Sequence, residues 1–288
     1  MMKRLILIST LVAAMVAGAM SLGARADSRV ALTIDGKDIT ADEFCYLYKK
    51  NQAGGAQHTT AREYATMFAL FKMKVHEAEA AGLDTLPQFK SELQFYCSTL
   101  EPDDTLLRNE YRDGMLLFEI SNRTIWKPAM ADYDNLNNHF LANRDKYIWE
   151  EPRAKGWIIL ANTDEMLAQA TEYLNSIDAN DHTNVPVELF IRFGKQLSAS
   201  RFLVKKGVNP LIDTLVFKSR DSYEADSKWK CAGAFACRII DQPEDWTDVK
   251  GNVTADYQQA LSDKWEQELL SRHTVDYYYD VIDEMDNI

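Results

Sequence analysis

Cysteine is scarce in this 288-residue chain, with only Cys45, Cys97, Cys231 and Cys237. No two of them stand in C-x-x-C spacing, which excludes the usual thiol redox centre. Histidine is as thin: His58, His76, His139, His182 and His273 are scattered, with no i, i+4 pair and no carboxylate cluster at ligand spacing, which argues against zinc. Asp178, Asn180 and Asp181 begin like a calcium loop, but His182 takes the next position and no glycine follows to make the turn, so they read as a polar loop. Neither a Gly-x-Ser-x-Gly elbow nor a phosphate-cradling glycine loop is present. Nothing in the chain asks for a cofactor. Basic runs stop at the pairs Lys49-Lys50 and Lys205-Lys206 and the formal charge is -12. Phosphate backbones are held mostly by Lys and Arg, so nucleic acid is excluded as a partner.

What the chain does have begins with a leader. Lys3 and Arg4 precede an apolar run from Leu5 to Met20, and Ala24-Arg25-Ala26 offers a small-x-small cleavage site before Asp27. The run is broken by Ser9, Thr10 and Gly18 and is shorter than the roughly 20 apolar residues of a membrane span. Residues 1–26 therefore read as a signal peptide cleaved after Ala26, with no cysteine at the site for a lipid anchor. Cleavage removes Lys3, Arg4 and Arg25 and no acid, taking the charge to -15. No later segment is apolar for long enough to span a bilayer, so the expected product is soluble and periplasmic. An acidic surface of that kind favours solubility, and about 260 residues can bury a core without disulfides.

After the leader, Leu32-Thr33-Ile34 and Ile39-Thr40 flank Asp35-Gly36, a short hairpin signal because type I′ turns need positive φ. Thr40 with Glu43 forms a capping box opening a short helix, and Thr60 with Glu63 forms a second. From there Tyr64, Met67, Phe68, Phe71, Val75 and Ala78 recur at helical spacing until Gly82. Leu86, Phe89, Leu93, Tyr96 and Leu100 share one face of a third helix. A fourth runs from Thr105 to Trp126 with Leu107, Tyr111, Phe118 and Ile125 inward, and Pro128 ends it. Tyr133, Leu136, Phe140 and Tyr147 suggest a fifth before Pro152.

Beyond Pro152 the composition turns to strand. Trp157-Ile158-Ile159-Leu160 is followed by a helix carrying Leu167, Ala170, Leu174 and Ile177, then by strand-like pieces at 200–205, 211–217 and 229–240. Cys231 and Cys237 share the last of these. If the strand is extended they lie about 20 Å apart, and only a turn near Gly233 would allow a disulfide; the alternative is two buried thiols. A closing helix places Tyr257 or Gln258, Leu261, Trp265 and Leu269 in phase, and alternation from Val275 to Val281 reads as a half-buried strand.

Four stretches carry a likeness. Thr33-Ile34-Asp35-Gly36-Lys37-Asp38-Ile39-Thr40-Ala41-Asp42-Glu43-Phe44 resembles the opening of periplasmic chaperones and foldases of the SurA and PrsA type. The run from Phe71 to Leu83, ending Ala81-Gly82-Leu83, resembles the same group. The segment from Glu110 to Asn122 and the tail Val253 to Gln258 with Trp265 are similar to its Bacteroidetes members. The resemblance implies an α+β fold: a helical chaperone-like domain over 27–150, completed by the helix and strand of 251–288, with a small parvulin-like α/β domain inserted at 151–250. It further implies that Val275 to Val281 pairs with the hairpin around Leu32 to Ile39, and that Tyr257, Leu261 and Trp265 complete the helical core.

In that family the inserted domain is a prolyl isomerase with paired histidines. Arg153-Ala154-Lys155-Gly156-Trp157-Ile158-Ile159-Leu160 is similar to its first strand, with Gly156 at one histidine position and Phe235 at the other. The resemblance thus implies a degenerate isomerase domain and a holdase that binds unfolded envelope or outer-membrane polypeptides. The alternatives are an active peptidyl-prolyl isomerase and a structural subunit of an envelope assembly. Tyr64, Phe68, Phe71, Phe89, Tyr96, Phe118 and Trp126 form the candidate client-binding region, with Met67, Met73 and Met115 as adaptable neighbours. The competing reading is that these residues only pack the helices together.

Overall fold

The computed structural model describes residues 27–53, 59–176, 185–224 and 228–287; the leader, His58, Ile177 and the polar loop around Asp178 to His182 lie outside the described residues. The fold is α+β. Along the chain come β1 (Val30–Ile34), β2 (Lys37–Thr40), α1 (Ala41–Ala53), α2 (Ala61–Ala80), α3 (Pro87–Tyr96), α4 (Thr105–Ser121), α5 (Lys127–Ala131) and α6 (Tyr133–Ala142). Next are β3 (Arg153–Ala161), α7 (Asp164–Ser176), α8 (Val185–Phe193), β4 (Leu197–Lys205), α9 (Pro210–Leu215) and β5 (Cys231–Ile240), and finally α10 (Lys250–Arg272), β6 (Val275–Tyr277) and α11 (Tyr279–Ile282). The described residues form two compact units, one from those up to Tyr133 with those from Thr254 onward, the other from those between Asp134 and Val253.

The first unit is built on a three-stranded antiparallel sheet of order β2-β1-β6. Asp35 and Gly36 make the tight turn with φ of 51° and 75°, the pair of positive values a type I′ turn requires. β1 is central. It pairs with β2 through Thr33 and Asp38 and with β6 through Leu32 and Tyr277, so the end of the chain completes the sheet begun at its start. Asp35 ties the closure: its amide donates to Thr274 O, its carboxylate accepts the Thr274 amide at 2.9 Å, and its second oxygen lies 2.6 Å from His273 Nδ1. The strand expected over Val275 to Val281 is shorter than its alternation suggests. After Tyr277 the chain turns helical, which drives Val281, Ile282 and Met285 into the core.

Helix α2 is the pillar of this unit. Thr60 and Glu63 form the expected reciprocal box, with Glu63 N donating to Thr60 Oγ1 at 3.3 Å and Thr60 N to Glu63 Oε2 at 3.0 Å. A third cap comes from 225 residues away: Asp286 Oδ1 accepts the Ala61 amide at 2.8 Å and the Tyr48 hydroxyl at 2.7 Å. The box expected at Thr40 is only half closed. Glu43 N donates to Thr40 Oγ1, but the Glu43 carboxylate turns away to Lys72 Nζ at 2.6 Å.

That diversion belongs to a set of buried charges. Lys72 also meets Asp113 at 2.6 Å; Lys50 meets Glu110 at 2.5 Å, where the Tyr46 hydroxyl donates at 2.9 Å; and Lys74 meets Glu266 on α10 at 2.8 Å. Burial pulls the Lys72 ammonium down, but Asp113 and Glu43 outweigh it and hold its pKa above the ordinary lysine value. α4 is consequently rotated from its expected face. Glu110, Asp113, Leu116, Leu117 and Ile120 point inward, while Phe118 is exposed. Nor does Pro128 end the helical path. A π turn at Asn122–Trp126, in which Lys127 N reaches back to Asn122 O, widens the backbone ahead of the proline and lets α5 follow.

In the second unit β3 lies between β4 and β5, all antiparallel. Trp157, Ile159 and Ala161 face α7 and α8, while Ala154 and Ile158 face α9. Burial on both faces explains why β3 reads as a continuous apolar run. Lys155 is buried and bonds both oxygens of Asp248, at 2.9 and 2.8 Å. The piece at 211–217, expected as strand, is helix from Pro210 to Leu215. Asn209 Oδ1 accepts from the Leu211 and Ile212 amides, and Pro210 supplies a preset first turn.

Two outcomes follow. A variant ending at Asn252 loses β6, α11 and nearly all of α10; its amino-terminal unit is expected to lose its cooperative thermal transition and its amide protection in β1 and α2, and undiminished stability would contradict the closure described. Lys72→Met leaves Asp113 and Glu43 without their shared cation and is expected to cost about 3 kcal/mol, read from urea unfolding, while adding Asp113→Leu recovers part of that loss.

Candidate functional groove

Helices α3 and α4 are joined through the turn at Cys97–Thr99 and a second turn in which the Asp104 amide donates to Glu101 O. Leu86 precedes Pro87, which presets the first turn of α3. Between the two helices lies an open groove of about 800 Å³ lined by Leu83, Leu86, Phe89, Tyr96, Tyr111, Gly114, Met115 and Phe118, with Gln88, Glu92, Glu119 and Arg123 as its polar members. This volume lies in the range of small-ligand and side-chain pockets, roughly 300 to 1,000 Å³. Leu83 and Phe89 are buried at its base. Tyr96 and Phe118 are 54% and 49% exposed, too open for core residues of their size. The Tyr96 ring stacks on Tyr111 at 6.3 Å, and Phe118 meets Trp126 edge-on at 5.4 Å.

The expected client-binding residues therefore divide. Phe89, Tyr96 and Phe118 line the groove, and Trp126, half-buried, supports Phe118 from the π turn. Tyr64, Phe68 and Phe71 are buried in the core of the first unit; Phe44 meets Tyr64 at 5.5 Å and Phe68 at 5.2 Å, and Phe68 meets Phe71 at 6.2 Å. These three pack the helices together. Met67 is packed against the same core, Met73 is buried, and Met115 reaches the groove. Leu86, Tyr111 and Gly114 also line the groove, though they are not among the expected residues. Phe95 and Tyr96, adjacent on one helix, were a usable signal, because neighbours point about 100° apart and a single helix–helix contact covers two large rings so placed poorly; both are exposed. Gly114 was another: a glycine inside a helix costs about 1 kcal/mol relative to alanine and here places no side chain in the groove.

The two positions read as lost histidines are in the second unit. Gly156 in β3 faces a bulge in β5, where Ala236 has a φ of 49° and the register with β3 shifts between Lys155 and Trp157. A Cβ at residue 156 would stand 2.8 Å from Cys237 Cα and 3.1 Å from Ala236 O, so the close approach of the two backbones demands glycine. Phe235 is buried opposite Trp157 and packs with Ile159 and Leu174. Cys231 and Cys237 are free thiols on the one strand β5, without the turn at Gly233 that a bridge would need. Burial raises the Cys237 thiol pKa, which keeps it protonated at neutral pH.

Among the described residues no three His, Cys, Asp or Glu side chains converge as metal ligands, and no helix is long and apolar enough to cross a membrane.

No protein-family model and no curated protein matches the chain. Among solved structures it is similar to one reported with the virulence factor PEB4 and the periplasmic protein Cj1289, described as structurally related SurA-like chaperones of Campylobacter jejuni. The identity is 13%, the alignment covers 86% of this chain and 98% of that one, and the TM-score is 0.29.

Proposed function

We propose that this chain is a periplasmic holdase that shields unfolded envelope or outer-membrane polypeptides from aggregation, without a cofactor and without prolyl isomerisation. The observation that carries the reading is the groove between α3 and α4, where two large aromatic side chains stand half in solvent over a buried apolar base. A surface of this kind gains by covering apolar side chains of many sequences, at roughly 25 cal/mol per Å² removed from water, while the acidic exterior keeps the complex soluble. The four sequence stretches similar to SurA and PrsA chaperones point the same way. Against isomerisation stands Gly156. Twisting a prolyl amide through a barrier of roughly 18 to 20 kcal/mol calls for polar groups aimed into an apolar pocket, and the histidine expected there has no room beside Cys237.

The test is suppression of aggregation of an unfolded outer-membrane β-barrel protein by the mature chain, with isomerisation of a prolyl peptide followed in the same sample. Protection without isomerisation is expected. Tyr96→Ser with Phe118→Ser should weaken protection about tenfold with little change in melting temperature, because both side chains are half-exposed. Gly156→His should destabilise the second unit without conferring isomerase activity. Wild-type isomerisation, or protection indifferent to the groove substitutions, would overturn the reading.

A further inference from the structure

The apolar lining of the groove accepts many sequences; its charged rim does not treat them alike. Three charged residues line it. Two neutralise each other, since Arg123 Nε donates to Glu119 Oε1 at 2.6 Å across one helical turn. The third, Glu92, is exposed and accepts the Gln88 amide at 2.9 Å, so the lining keeps a net negative charge. Glu92 stands four residues before Tyr96 on α3, so carboxylate and ring lie on the same helix face one turn apart. A cation seated there meets both a carboxylate and the face of an aromatic ring. A carboxylate in the same place meets only like charge, on a chain whose formal charge is already -12.

Resting on the reading of the groove as a client site, we propose that its occupant is an apolar or aromatic stretch of unfolded polypeptide carrying a lysine or arginine within a few residues, with acidic stretches turned away. The apolar side chains fill the space between α3 and α4 and supply most of the affinity. The neighbouring cation lies along Tyr96 with its charge at Glu92. Selection among clients is thus electrostatic and acts at the rim, where it is sensitive to salt.

The experiment uses the full mature chain and three dye-labelled peptides of identical aromatic content, flanked by two lysines, two glutamines or two glutamates, with binding read by fluorescence anisotropy. The lysine peptide is expected to bind at least about fivefold more tightly than the glutamate peptide in dilute buffer, as for a pair of partly exposed contacts, with the gap closing in 0.5 M salt. Glu92→Lys should reverse the order while leaving the melting temperature unchanged. Equal binding of all three peptides overturns the charge selection and leaves the client site standing. Failure of all three to bind overturns the client site itself. A gap that survives in Glu92→Lys overturns the assignment to this rim.

Discussion

Everything in the amino-terminal unit depends on a strand that is paired on both sides by residues from opposite ends of the chain. β1 takes β2 from the adjacent hairpin and β6 from about 240 residues downstream, and the contacts around it repeat the pattern. Asp35 clasps His273 and Thr274, α10 delivers Trp265 and Leu269 to the core, and Asp286 caps α2. The penalty for closing so long a loop grows only logarithmically, by about 0.6 kcal/mol per doubling. A whole second unit can therefore sit within the loop at modest expense, provided the closing contacts are good ones.

The parts of this fold that were legible in the sequence are those governed by local chemistry. Asp35-Gly36 announces its turn, Thr60 and Glu63 announce a helix start, and the spacing from Tyr64 to Ala78 announces a buried face. The return of the carboxy-terminal segment to the hairpin came from the family likeness, not from any local rule. What escaped were exchanges between distant residues. The spacing turns Leu107, Tyr111 and Phe118 inward, yet Lys50 and Lys72 draw Glu110 and Asp113 inward instead and rotate α4 with them. Lys72 likewise takes Glu43 out of its capping box. The helix at Pro210–Leu215 was hidden by β-branched and apolar residues whose strand preference is overridden by the cap at Asn209 and by packing onto β3.

The same distinction governs the groove. Periodicity groups aromatic residues on a helix face but cannot say whether another element covers that face. Tyr64, Phe68 and Phe71 obey the same rule as Phe89 and Tyr96, yet the first set is buried, with Phe44 packed on Tyr64 and Phe68, whereas Tyr96, stacked on Tyr111, stays half-exposed. The rotation of α4 decides the matter. By turning its acids toward Lys50 and Lys72 it carries Phe118 outward beside Met115, so the buried ion pairs and the exposed aromatic wall have one cause.

The placement of β6 also sets an order of events. The second partner of β1 is made about 240 residues after the strand itself, so the central strand keeps one open edge until β6 is in place. The second unit is continuous in sequence, from Asp134 to Val253, and has all its strand partners before α10 is finished. The amino-terminal unit is closed by long-range contacts of the kind that form slowly, whereas the strands of the second unit pair within one continuous stretch. A newly made copy passes through a stage in which it bears an unpaired strand edge of its own.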